Sequence, residues 1–157
     1  MIRSACVFVL ALLSHQSIHP GFGMFPAPDN FRGKPATVDL RSHPDAHTYR
    51  SRLREGAAQG PNFAGHYTIV QWGCGSSCQK FAIIDAQTGK VYIYPGMTSY
   101  GMSYHRTSRM IVTDPITADD IKEFESGIPS WRMTRYFLWD GMGLTQIDSS
   151  RSVFTDK

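Results

Sequence analysis

Apolar residues recur in two rhythms along the chain, separated by Gly- and Pro-rich breaks, and each rhythm predicts a different element. Ala46, Tyr49 and Leu53 fall at i, i+3 and i+7, one face of a helix, while Arg50, Arg52, Arg54 and Glu55 lie off it. Ser42 with Asp45 has the spacing of a capping box, Pro44 suits a first turn, and Gly56 or Gly60 can end the helix. A shorter stripe, Ile121, Phe124 and Ile128, follows a second capping box, Thr117 with Asp120, and ends at Gly127.

Elsewhere the rhythm is that of strands. "ATVDL" reads as a short one, and His66 to Trp72 as another. A hairpin tip centred on Ser76 would pair Val70 with Ala82, Thr68 with Ile84 and Ile69 with Ile83, setting Cys74 opposite Cys78. Opposed Cβ atoms lie about 4.5–5.5 Å apart, close to the roughly 3.8 Å of a disulfide. "DAQTGK" is a hairpin loop with Gly89 where positive φ is needed, leading into "VYIY", Val91 to Tyr94. Pro95 to Tyr104 reads as a loop, "RMIVT" as a strand and "TRYFLWDGMGLTQI" as a closing hairpin, with a frayed polar tail after Asp148. The sum is an α+β domain: a single antiparallel, meander-rich sheet of about five to seven strands with one or two short helices. One face of its central strands carries Val70, Ala82, Ile84, Val91 and Ile93; the other carries Tyr67, Ile69, Phe81, Ile83, Tyr92 and Tyr94. Either both faces are covered, or the tyrosine-rich one is partly open as a binding surface.

Length and composition fit that picture. A chain of 157 residues with 41% hydrophobic content makes one domain with a packed core. The N-terminus changes it. Arg3 precedes a nine-residue apolar run, Ala5 to Leu13, too short to span a bilayer, and Gly21 and Gly23 are small residues suited to cleavage before Met24. Residues 1–23 therefore read as a signal peptide, with a cut near Ser17 as the other position, and residues 24–157 as the exported domain, periplasmic or secreted. Without residues 1–23 the net charge falls from +3 to +2, too weak to argue for nucleic acid, and no later segment has transmembrane length. Cys6 goes with the leader, leaving Cys74 and Cys78 most simply as one disulfide.

Candidate chemistry is thin. "QWGCGSSCQKF" has a superficial likeness to the papain-type thiol protease signature, but Trp72 precedes the cysteines, the spacing is C-x-x-x-C, and His105 is the sole downstream His. His66 lies eight strand residues from Cys74, roughly 26 Å, out of reach of a dyad. A redox pair needs C-x-x-C at a helix N-terminus, absent here. His43 and His47, with Asp45 between them, have i, i+4 spacing but no third ligand placed by sequence, so no metal and no cofactor is expected. Asp85 reads as a turn-capping carboxylate, and Asp119, Asp120, Glu123 and Glu125 as a solvated helix face. Nucleophile-elbow, P-loop, dinucleotide and H-E-x-x-H motifs are absent.

"NFAGHY" (Asn62 to Tyr67), "WGCGSSC" (Trp72 to Cys78), "DAQTGKVY", "SRMIV" and "YFLWDG" occur in that order across residues 60–148. Together they resemble a group of small exported bacterial proteins of uncharacterised activity, most specifically at the first two blocks. The resemblance implies export and supplies no catalytic residues. It also implies a second cysteine-bearing loop after the S-R strand, where this chain has the cysteine-free "DPITADDIKEFESG".

These readings favour an exported, non-enzymatic binding domain, an inhibitor or immunity-type protein or a binder of an envelope component. Its candidate contacts are Trp72, Tyr100, Tyr104 and Trp139, aromatics beside Gly-rich loops, together with His66 and His105. Two alternatives stand beside it: a small envelope hydrolase using His66 or His105 with a carboxylate, and a structural or stress-protective envelope protein. A deep pocket holding a His–Asp/Glu pair would favour the enzyme, and a flat aromatic patch the binder.

Overall fold

The first helical stripe buries against the first hairpin. In a computed structural model, which describes residues 19–124 and 126–156, a 3-10 turn at Pro44–His47 leads into α1 (Arg50–Ala58). Ala46 and Leu53 are fully buried, and the Tyr49 ring packs at 4.6 Å on Trp72. The expected Ser42–Asp45 capping box does not form. Ser42 Oγ instead donates to Asp39 O and accepts from Val91 N, and His43 Nδ1 takes the Asp45 amide. A hydroxyl with two better partners from neighbouring segments has no reason to cap its own turn.

Seven antiparallel strands form: β1 (Tyr67–Gly75), β2 (Cys78–Asp85), β3 (Val91–Ile93), β4 (Met102–Tyr104), β5 (Met110–Thr113), β6 (Thr134–Trp139) and β7 (Leu144–Ser150), of which β4 falls in the segment expected as a loop and is made a strand by pairing with β5. They divide into two sheets, ordered β1-β2-β3 and β4-β5-β6-β7, where one sheet was expected. The first hairpin keeps the expected register, Thr68 opposite Ile84, Ile69 opposite Ile83 and Val70 opposite Ala82. A bulge at the tip sets Gly75 opposite Cys78, and a Cys74–Cys78 disulfide closes it with Cα atoms 5.1 Å apart.

Strand alternation then builds three apolar layers. Val70, Ala82, Ile84, Val91 and Ile93 face α1. The other face, with Ile69, Phe81, Ile83 and the tyrosines, meets Ile111, Phe137 and Trp139 of the second sheet. Met110, Val112 and Tyr136 on the second sheet's outer face are covered by Phe22, Phe25 and Phe154. Tyr67, Tyr92 and Tyr94 are therefore inter-sheet packing, and the open-face reading of that surface does not hold.

The segment "ATVDL" is not a strand. It lies beside the β2–β3 turn through Ala36 N→Ala86 O and Asp39 N→Gly89 O bonds and buries Val38 and Leu40. Gly89 (φ +79) admits this approach, since a Cβ there would stand 2.0 Å from Thr37 O. The tail is docked: Phe154 N donates to Ile116 O and the Phe154 ring joins the outer layer. α2 (Ala118–Glu123) carries the expected Thr117–Asp120 capping box, although Ile121 stays exposed. Of the expected leader, residues 1–18 lie outside the described residues. In residues 19–23, His19 bonds Asp148 and Ser150, and Phe22 is buried. Among the described residues no helix is long and apolar enough to cross a membrane.

Candidate functional site: an exposed aromatic pair over a buried arginine

Loop 95–101 follows the first sheet, and turn 129–133 precedes β6. Each delivers one aromatic ring to the same face. Tyr100 is 41% and Trp131 60% exposed, with ring centroids 6.0 Å apart. Beneath them Arg132, only 1% exposed, lies with its guanidinium carbon 3.6 Å from the Tyr100 ring centroid. Its Nη1 donates to Asp114 O (3.2 Å), and its Nη2 to Asp120 Oδ1 (2.7 Å). Burial opposes the ionised Asp120, but hydrogen bonds from Thr117 and Arg132 outweigh it and hold the carboxyl below the usual carboxylate range.

Asp114 fastens the Tyr100 loop. It is a non-glycine residue in the left-handed region (φ +51), a conformation aspartate tolerates better than most. Its Oδ1 accepts the Ser99 and Tyr100 amides at 2.7 and 2.9 Å, and its Oδ2 accepts from Arg135 at 3.2 Å. A shallow depression of about 150 Å³ lies among Tyr100, Asp114, Trp131, Arg132 and Arg135. The Tyr100 ring and backbone are thus fastened by an ionic frame in which Arg132 Nε alone lacks a partner, with the Trp131 ring beside Tyr100.

Of the candidate contacts singled out by sequence, Tyr100 belongs to this face and the others do not, while Asp120, expected as a solvated helix carboxylate, is drawn in by its pair with Arg132. Trp72 is buried on Tyr49, and Trp139 lies between the sheets, 5.3 Å from both Tyr67 and Tyr92. Tyr104 packs edge-on to Phe63 and receives a weak bond from Gln71 Nε2. The His105 ring stacks at 4.0 Å on Phe22, with Nε2 3.0 Å from Asp156 Oδ1. Trp131 was missed. Its signal is position: it follows the Pro129–Ser130 turn and lies outside the alternation of β6, so no sheet face claims it.

His66 stands between two carboxylates, its Nδ1 2.7 Å from Asp29 Oδ2 and its Nε2 3.9 Å from Asp85 Oδ1. Asp85 is the expected turn cap, accepting from Gln87 N, Thr88 N and Thr88 Oγ1. Around it the "NFAGHY" block has structural roles. Asn62 bonds both backbone groups of Ile69, Phe63 is buried between the sheets, and Gly65 (φ +84) lets the chain pass Asp29, whose carbonyl would stand 2.3 Å from a Cβ. Beyond Asp85 is a cavity of about 250 Å³, with Tyr67, Tyr92, Trp139 and Met142 in its walls and His43 and Lys90 at its polar edge. His43 and His47 bring no further ligand together; among the described residues no group of three or more metal-ligating side chains converges. Comparison with known protein families, with curated proteins and with solved structures finds no match.

Proposed function

We propose that this chain is an exported, non-enzymatic binding domain whose contact surface is centred on Tyr100 and Trp131. The observation that carries the reading is the exposure of both rings side by side, with Tyr100 fastened by Asp114 and seated on the buried Arg132 guanidinium. Trp, Tyr and Arg dominate the energetics of protein interfaces, the two aromatics because they bury a large rigid area with little loss of rotamer freedom. A protein partner, as for an inhibitor or immunity-type protein, fits that chemistry better than an envelope polymer. The leader-like N-terminus, the disulfide and the likeness to small exported bacterial proteins support export.

The hydrolase reading rests on the His66–Asp29 and His105–Asp156 pairs. His66 faces carboxylates with both ring nitrogens, Asp85 is occupied by its turn, and His105 stacks on Phe22. Neither histidine lines the cavity beside Asp85, so the combination of a pocket and a His–carboxylate pair that would favour the enzyme is not assembled there. The test is affinity capture from the exported fraction with tagged protein. The proposal expects a stoichiometric protein partner with the native chain and its loss with Tyr100→Ala/Trp131→Ala. Hydrolysis of an envelope substrate that disappears in His66→Ala would favour the enzyme instead.

A further inference from the structure

Separate from the exposed pair is the cavity of about 250 Å³ beside Asp85. We propose that it binds a small organic ammonium ion through its aromatic walls. Tyr67 and Trp139 meet at 80°, and Tyr92 and Trp139 at 57°, so the three rings form a corner and not a stack. All three residues line the cavity, and an aromatic lining beside a carboxylate is the kind of surface that attracts ammonium groups. The volume lies below that of sites for drug-sized ligands, so the occupant is a group of few heavy atoms.

Charge favours a cation. Asp85 lines the cavity, Asp140 precedes Gly141 on its wall, and Asp29 lies behind His66. All three carboxylates raise the Tyr67 phenol further above its ordinary value, after burial as the largest cause. The opposing groups are Lys90 and His43 on the edge, with His66 adding charge when protonated. Met142, 83% exposed at the β6–β7 turn, supplies an apolar flank.

Ammonium groups come from two sources, a free quaternary amine or a lysine side chain of a peptide. Calorimetric titration of the full mature protein with choline and with N-acetyl-lysine methylamide separates them by relative affinity. The neutral choline isostere 3,3-dimethylbutanol is the control. Saturable binding of either ammonium, with the isostere about tenfold weaker or absent, supports the proposal. Equal binding of the isostere, or no saturable heat from either ammonium, overturns it. Tyr92→Leu should weaken ammonium binding about tenfold. Lys90→Gln, an exposed change that leaves folding alone, should tighten it severalfold at low salt by removing a like charge. Affinity unchanged by Lys90→Gln overturns the proposal even where Tyr92→Leu fails to fold.

Discussion

The three tryptophans occupy three different environments, and their substitution should separate packing from exposure. Trp139 is 3% exposed between the sheets, whereas Trp131 is 60% exposed. Trp139→Ala should cost about 3–5 kcal/mol in urea unfolding, and Trp131→Ala no more than about 0.5 kcal/mol. Equal losses would contradict this assignment. Four tyrosines, Tyr67, Tyr92, Tyr94 and Tyr136, are raised above the ordinary phenol range, chiefly because burial disfavours the phenolate. The folded chain therefore holds protons that the unfolded chain releases. That contribution to stability is full below about pH 10, the unfolded value, and is lost as pH rises through the folded values. Unfolding midpoints measured across alkaline pH should fall as the ultraviolet phenolate signal appears. A full phenolate signal with an unchanged midpoint would contradict the burial account.

The N-terminal segment and the first hairpin carry predictions of their own. Phe22 is 4% exposed and stacked on His105, and its carbonyl accepts from Ser108 Oγ. A chain beginning at Met24 should therefore be less stable than one beginning at His19 by about 3 kcal/mol, the cost of emptying a buried phenylalanine site. N-terminal sequencing of exported protein should then find a start at or before His19; a start at Met24 in a stable product would contradict this. At the hairpin tip, reduction of Cys74–Cys78 should lower stability by about 2 kcal/mol, the chain-entropy value for so short a loop, and the oxidised protein should show no free thiol at these positions.

Element by element, legibility followed locality. The Ile69–Ile83 register, the Asp85 turn and the Thr117–Asp120 box depend on near neighbours and could be read from the sequence. β4 depends on a non-local partner, Met102 opposite Thr113, and had no pattern of its own. The Ser42 cap failed for the same reason: Val91, far along the chain, offered the hydroxyl a competing bond.

At the scale of the whole molecule, two sheets face each other across one apolar layer, with α1 outside one and Phe22, Phe25 and Phe154 outside the other. Both central-strand faces were legible as apolar, but the division into two sheets was not. Alternation specifies which side chains share a face, not which strands bond at their edges. The site was less legible still, since Trp72 and Trp139 carry the same composition signal as Trp131. Only the tertiary fold decides which ring is left in water. The most direct test of the binding account is fluorine NMR of 5-fluorotryptophan-labelled protein, whose three tryptophans give three resonances, with the captured partner added. The account predicts that the Trp131 resonance shifts while those of Trp72 and Trp139 keep their positions. A Trp131 resonance unmoved by a bound partner would contradict it.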